Sequence, residues 1–499
     1  MSSFVAIAVA GGLLRPHPVC AVRSIVTDNP IRAADRLRCV FVTVLWGPWH
    51  RQTYLEANLP TMLAPGNLPA LAAGIDCEYL LYTTAKDALV MIRDPAFKRL
   101  RTLVTVSINL FSPRKTTNPI GLHHEIWRAA TERARERRAY ILLMPPDVVW
   151  ADGSFASLRA ALDAGKRMTF MTYPRVVSET VVPAMADHFP RGADHAIAVP
   201  PAQMMALAVT HIHPLMAAYA RSATHFPFHP EMVLWPIEGD GYLLRLLARE
   251  LFCFEAGRYQ LNAQSLLAQM PPQNEIHVFR DSREFLGLSL TPLWKDMEWY
   301  LRRATLDPLL AGRWWITYDS PINDYLSAID LRFTSCGGDA AQWRRVSRRA
   351  DNLMAHLRFA REFTRVLLVL RQMGHYRAAE FLAAAMRVHG IARRFPHRGP
   401  FVILAPTDAA FELDGYHLAL DARMSAADAR RMIEAHAAAM PTPELIKDGL
   451  ELTTLAGRRL YIEDADLAQQ CGANIIIPLR KPRGLAKVGR PNAASVQPP

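Results

Sequence analysis

The chain has 499 residues, 51% of them hydrophobic and 21% charged, with a mean hydropathy of +0.02. This composition excludes a mostly disordered chain, and the length allows for about two to four domains. Fifty-eight Lys and Arg against 46 Asp and Glu leave a net charge of +12, which suits anionic partners without singling out nucleic acid. Six dispersed cysteines (Cys20, Cys39, Cys77, Cys253, Cys336, Cys471) form no CxxC pair. A zinc ribbon and a disulfide scaffold are therefore excluded, and a reducing compartment is indicated.

Residues 1–36 read as a disordered leader. Their apolar run, 4–14, is too short to span a bilayer, and residues 1–3 lack the basic residues of a secretory signal. The expected location is cytoplasmic, or extracytoplasmic were that run a signal. No stretch reaches 18 uninterrupted apolar residues, so no transmembrane segment is expected.

Strong patterning begins at residues 38–46 (RCVFVTVLW), a buried strand stopped by Gly47-Pro48. A short helix follows, then strands at 77–84 and 101–110. Residues 123–138 are helical, with Ile126, Ala129, Ala130 and Ala134 on one face and charges on the other. On that helix Arg133, Arg135, Arg137 and Arg138 interleave with Glu132 and Glu136, which reads as a solvated face. A strand at 139–144 ends at Pro145-Pro146-Asp147, and a helix at 154–164 precedes a strand at 167–173. Alternating strands and helices of this kind predict an α/β layered domain with a mostly parallel sheet. Ligands of such sheets sit beyond the carboxyl ends of the strands, here near Trp46-Gly47, Thr83-Thr84 and Asp147.

Residues 200–255 read as helical and rich in His and Pro, 256–350 as mixed, and 351–388 as helical. Residues 391–400 form a basic turn, 401–480 short strands and helices, and 483–499 a basic, Pro-rich disordered tail. The basic stretch 343–349 lacks interleaved aromatics, so nucleic acid is not an expected partner. GxxxxGK[ST], HExxH and GxSxG motifs are absent, which removes P-loop NTPases, zincin proteases and typical α/β-hydrolases.

Two acidic sites carry candidate chemistry. Asp147 closes a strand and could serve a ligand or simply form the turn, while Asp152 is suited to capping the helix at 154–164. Further on, Trp235-Pro236 and Glu238-Gly239-Asp240-Gly241 make an acidic, glycine-rich loop. Glu238 or Asp240 could take a proton from an acceptor hydroxyl, or the loop could be a surface turn. His211, His213, His225 and His229 make a poor metal set, because residues two apart do not face each other on a helix.

Several features of residues 38–255 resemble glycosyltransferases of the GT-A class: the strand ending at Trp46-Gly47, the long helix leading into strand 139–144, and Asp147 at that strand's end. The resemblance implies a GT-A-like domain over 37–345. Trp46, Gly47 and Asp147 would hold a nucleotide-sugar donor, Asp147 would carry Mg2+ or Mn2+ against the diphosphate, and Glu238 or Asp240 would act on a glycan acceptor. The spacing here is Asp-x-x-x-x-Asp rather than that class's Asp-x-Asp.

The run 399–411 (GPFVILAPTDAAF) resembles the first signature of fasciclin-like domains. Leu452-Thr453-Thr454-Leu455-Ala456-Gly457 resembles the second, and His436 the family's conserved histidine. In the turn, Thr407 or Asp408 would cap a helix and Phe411 would return to the core. The resemblance spans about 360–482 and implies an α+β fasciclin-like domain, with approach helices from 346, that binds protein or glycan. The combined expectation is a glycosyltransferase with a fasciclin-like binding module. The alternative is a non-catalytic adhesion or interaction protein.

Overall fold

The computed structural model describes residues 24–26, 37–113, 118–222, 231–247, 251–261, 270–293, 321–376, 379–380 and 383, then strands at 401–406, 437–439, 451–453, 459–461, 469–471 and 474–479. His225, His229, Thr407, Asp408, Phe411, His436, the tail at 483–499 and most of the leader lie outside the described residues. The chain divides into two units. One comprises Met1–Leu306 with Asp319–Ala350, the other Asp307–Tyr318 with Asp351–Pro499.

The strands of the first unit are β1 (Ser24–Val26), β2 (Arg38–Val44), β3 (Asp76–Thr83), β4 (Thr105–Leu110), β5 (Tyr140–Leu143), β6 (Val148–Trp150), β7 (Met168–Phe170), β8 (Arg175–Val177), β9 (Met232–Ile237), β10 (Gly241–Leu246), β11 (Leu251–Glu255), β12 (Ile276–Val278), β13 (Gly287–Thr291) and β14 (Leu331–Thr334). Eight of them form the main sheet in the order β1-β4-β3-β2-β5-β11-β7-β12. Its centre, β4-β3-β2-β5, is parallel throughout, with Cys39 paired to both Cys77 and Tyr140. Crossover helices join these strands, as a parallel ladder requires.

The sheet as a whole is mixed rather than mostly parallel. β1 runs antiparallel to β4, β11 antiparallel to both β5 and β7, and β12 parallel to β7. The difference originates in β1, at Ser24–Val26 within the expected leader, and in β11; residues 200–255, expected to be helical, hold described helices as far as Ala218 and the strands β9, β10 and β11 beyond. There Gly239, in the left-handed region (φ 74°), closes a three-residue hairpin between Ile237 and Gly241. Upstream, residues 101–103 end the Pro95–Leu103 helix instead of starting a strand.

Chain direction changes after β5. The turn 145–147 carries the backbone out of the main sheet into β6, which joins a second sheet, β6-β13-β8, while β14-β10-β9 make a third. An aromatic core packs behind the turn: Trp150 lies 5.1 Å edge-on to Phe155 and 5.7 Å from Phe252, with Phe285 and Phe279 beyond.

The Pro119–Glu136 helix buries His123, Ile126, Ala130, Thr131 and Ala134, while Ala129 faces solvent. Its arginines are not a uniformly solvated face. Arg135 pairs with Glu132 at the surface, but Arg133 and Arg137 both reach Glu78 on β3, whose side chain is buried. Asp152 does not cap the Ser154–Asp163 helix. The N-cap is Gly153, and the Asp152 carboxylate accepts the Gly66 N–H at 2.7 Å.

In the second unit, β15 (Phe401–Pro406), β16 (Ala437–Ala439), β17 (Glu451–Thr453), β18 (Arg459–Tyr461), β19 (Gln469–Cys471) and β20 (Asn474–Leu479) form a four-stranded sheet, β16-β15-β20-β19, and a β17-β18 hairpin. β15 and β20 are parallel, with Ile403 opposite Ile476. The long helix expected at 351–388 begins earlier, running from Ala340 to Gln372. Among the described residues no helix is long and apolar enough to cross a membrane.

Candidate functional site

The parallel block reverses its winding between β2 and β5: β3 and β4 lie to one side of β2, and β5 to the other. At such a switch point the two strand ends diverge and leave a crevice. A cleft sits there, lined by Val44, Leu45 and Trp46 after β2, His50 on the next helix, His123 and Trp127, and the run Met144-Pro145-Pro146-Asp147 after β5.

Its walls are aromatic. The rings of Trp46 and His123 meet edge-on at 5.7 Å, and His123 and Trp127 lie 5.9 Å apart at 34°. Phe111 backs Trp46 edge-on at 5.5 Å. Water can reach about 60 Å³ of the space, so this is a shallow crevice rather than a deep cavity.

Local sequence explains each wall. Gly47 turns the chain from β2 into the Pro48–Thr53 helix with φ 87°, a conformation that favours glycine. Its N–H donates to Asp87 Oδ2 at 3.0 Å, and Arg51 donates to Asp87 Oδ1 at 2.7 Å. Burial works to raise the Asp87 pKa, but the N–H of Gly47, the Thr84 hydroxyl and the Arg51 guanidinium together hold it below the usual carboxylate value. Thr84 also caps the helix that carries Asp87. Thr84 thus braces the Trp46-Gly47 loop, through Asp87, from outside the slot's lining.

A π-helical turn, Tyr54–Asn58, follows the Pro48–Thr53 helix. It aims the Asn58 amide at Pro145 O (3.0 Å) and Val148 O (2.5 Å), clamping the turn that bears Asp147. π-turns of this kind recur at functional sites. Asp147 is 1% exposed, and its carbonyl accepts the Leu290 N–H at 2.7 Å.

His123 has its pKa pushed down to about 4, chiefly by burial and further by neighbouring positive charge at His50 and His124, with Asp147 opposing. The unfolded chain therefore binds a proton on this residue between about pH 6.5 and 4 that the folded protein refuses, and stability falls as the pH drops through that window. The expected loss is about 3 kcal/mol. Urea titrations at pH 7.5, 5.5 and 4.5 should show it, and His123→Phe should remove that share of the acid sensitivity; an unchanged pH slope in the variant would exclude His123 as its source.

The slot brings together Trp46 and Asp147, with Gly47 next to Trp46. Glu238 and Asp240 are not among its lining residues. Both lie in the β9-β10 hairpin loop, Glu238 exposed and Asp240 buried. Burial works to raise the Asp240 pKa, but the Cys336 N–H, the Thr334 hydroxyl, the Cys336 thiol and the Ser335 N–H hold it below the ordinary value.

His211 and His213 do not converge either. His211 Nδ1 contacts the Thr180 hydroxyl, whereas His213 Nδ1 accepts the Leu215 N–H as a helix cap. Sequence reasoning missed His50, Asn58, Asp87, His123 and Trp127. The available signal was the i, i+4 pair His123 and Trp127 on one face of a helix entering β5.

No known family and no curated protein matches this chain. Among solved structures, the crystal structure of S. aureus TarS 1-349 aligns at 10% identity with a TM-score of 0.19, covering 34% of this chain and 63% of that one. A second S. aureus TarS structure aligns at 8% identity and a TM-score of 0.20, covering 36% and 41%. The chain thus spans less than two thirds of either, and similarity at that level carries no argument about fold or activity.

Proposed function

We propose that the first unit binds a nucleotide sugar in the Trp46–His123–Trp127 slot and transfers the sugar to a glycan acceptor. The observation that supports this reading is the pairing of an aromatic-walled cleft with a buried carboxylate at the switch point of a parallel block of strands. In this reading the indoles would stack on a base, and Asp147 would mark the end where the diphosphate lies.

Asp147 is the one carboxylate among the lining residues. Mg2+ and Mn2+ commonly bind through one or two carboxylates and complete their shell with water and substrate phosphates. In this reading Asp147 would be the chain's ligand to such a cation, which would neutralise the leaving diphosphate. Within the protein, Trp46 and Trp127 bind and orient, Asn58 fixes the Asp147 turn, and Asp87 holds the Gly47 loop.

For the acceptor, a base must take the hydroxyl proton as its oxygen attacks the anomeric carbon and the bond to the diphosphate breaks. Of the hairpin acids, Glu238 is the better assignment, because the Asp240 carboxylate is already engaged by four donor groups. The fasciclin-like segment at 360–482 would bind the acceptor or a protein partner.

The reading is tested by calorimetric titration of UDP-, GDP- and CDP-sugars, with and without Mn2+. One donor should bind. Trp127→Ala should weaken it by roughly 10- to 100-fold, as expected for loss of a stacking face worth about 1–3 kcal/mol, and Asp147→Asn should reduce the Mn2+-dependent part. Absence of binding by every donor to a cooperatively folded protein would leave the interaction-protein alternative.

A further inference from the structure

Residues 85–102 form the crossover between β3 and β4, as the helices Ala85–Met91 and Pro95–Leu103. The first helix buries Asp87, Ala88 and Met91 and exposes Lys86, Leu89 and Val90, with Arg93 exposed in the turn just past its end. Leu89 is 56% exposed and Val90 43%. The second helix buries Ala96, Phe97 and Leu100 and exposes Lys98, Arg99 and Arg101.

The segment thus shows five cations to solvent, none of them in an ion pair among the described residues. Its two acids are both occupied inward. Asp87 is engaged by Gly47 and Arg51, and Asp94 caps its helix by accepting the Ala96 and Phe97 N–H groups. Elsewhere in this unit surface arginines are commonly paired, as in Arg135–Glu132, Arg159–Asp163 and Arg283–Asp281. Here both acids are engaged within the protein and the segment's cations are exposed, as are two aliphatics of the first helix.

We propose that the exposed face of residues 85–102 is a docking surface for an anionic lipid bilayer. Five unpaired cations supply the charge complement, and each Lys or Arg held near an anionic leaflet strengthens binding about five-fold. Leu89 and Val90 give the face an apolar ridge able to enter the headgroup boundary, as amphipathic interfacial helices do. Nucleic acid fits less well, because the face exposes no aromatic ring for base stacking. The inner side of the same helix holds Gly47, the residue after the slot's Trp46, through Asp87.

The test is co-sedimentation of the full chain with phosphatidylcholine vesicles, with and without phosphatidylglycerol, over a range of salt. Binding should require phosphatidylglycerol and weaken with salt. Lys86→Gln/Arg93→Gln/Lys98→Gln should weaken it by roughly 100-fold, and Leu89→Ser/Val90→Ser should weaken it several-fold. All five positions are exposed, so thermal melts of both variants should match the parent and establish that they fold.

Equal binding to neutral vesicles, or unchanged binding by either folded variant, would overturn the proposal. The variants keep the basic tail, so capture by that tail would appear as variant-independent binding and count against it. Binding to a DNA duplex as tight as to vesicles, and lost in the charge variant, would assign the face to nucleic acid instead.

Discussion

Replacing Asp240 with Ala should destabilise the first unit by about 3 kcal/mol. The Asp240 carboxylate accepts the Thr334 hydroxyl at 2.7 Å to each oxygen, the Ser335 N–H at 2.8 Å and the Cys336 N–H at 2.9 Å, and its carbonyl accepts the Ser335 hydroxyl at 2.7 Å. Thr334 in turn accepts the Gly337 N–H at 2.7 Å. One side chain therefore closes the turn after β14 onto the β9-β10 hairpin. Alanine leaves the buried Thr334 hydroxyl and the part-buried Ser335 and Cys336 N–H groups without their acceptor, and stranding a buried donor costs about 1–3 kcal/mol, less where water can reach it. Asp240→Asn should cost less, about 2 kcal/mol, because one amide face still accepts while its NH2 opposes the same donors. Chemical denaturation measures both. A base in glycosyl transfer would show the opposite pattern: Asp240→Asn would keep the parent's melting behaviour and lose turnover. Gly338 gives an independent check. Its φ is +50° and an added Cβ would collide with the Asp240 carboxylate, so Gly338→Ala should loosen the same turn.

What was legible in the sequence follows the strength of local signals. β2 and β5 are short apolar runs ended by Gly47-Pro48 and Pro145-Pro146, and both strand ends were placed where the cleft lies. Trp46 and Asp147 could be singled out because punctuation by Gly and Pro marks strand ends without knowledge of the partners. β9 and β10 were harder. MVLWPI and GYLLRL are buried at nearly every position, so neither shows the alternation that separates a strand from a helix. The direction of β11 depends on its pairing with Thr169 and Leu142, contacts more than 80 residues distant that no local pattern encodes. Asp240 illustrates the same limit. An acid between two glycines in a loop looks available for chemistry, and only the approach of residues 334–337 shows what it holds.

The Glu78 cluster carries the other large expectation. Glu78 projects from the middle of the sheet, with its side chain 2% exposed. Its Oε1 accepts from Ser107 (3.0 Å) and Arg133 (3.1 Å), and its Oε2 from Arg137 (2.6 Å), which also binds Asp76 at 3.0 Å. Removing one partner of a buried ion pair typically costs 3–5 kcal/mol. The arginines are 49% and 28% exposed and can rehydrate, so Glu78→Ala should sit at the lower end, about 3 kcal/mol. Arg137→Ala should approach that figure, because it leaves two carboxylates short of a cation, while Arg133→Ala should cost about 1 kcal/mol. The consequence extends to the slot. Both arginines lie in the last turn of the Pro119–Glu136 helix or just past it, and His123 and Trp127 lie in its first half. The ion cluster fixes the axial position of that helix against β3, and through it the separation of Trp127 from Trp46. Glu78→Ala should therefore weaken donor binding as well as lower the melting temperature, even though Glu78 is not among the residues lining the slot. Titration of the variant well below its melting temperature separates the two effects: affinity equal to the parent's would mean that the helix is held by its apolar face alone.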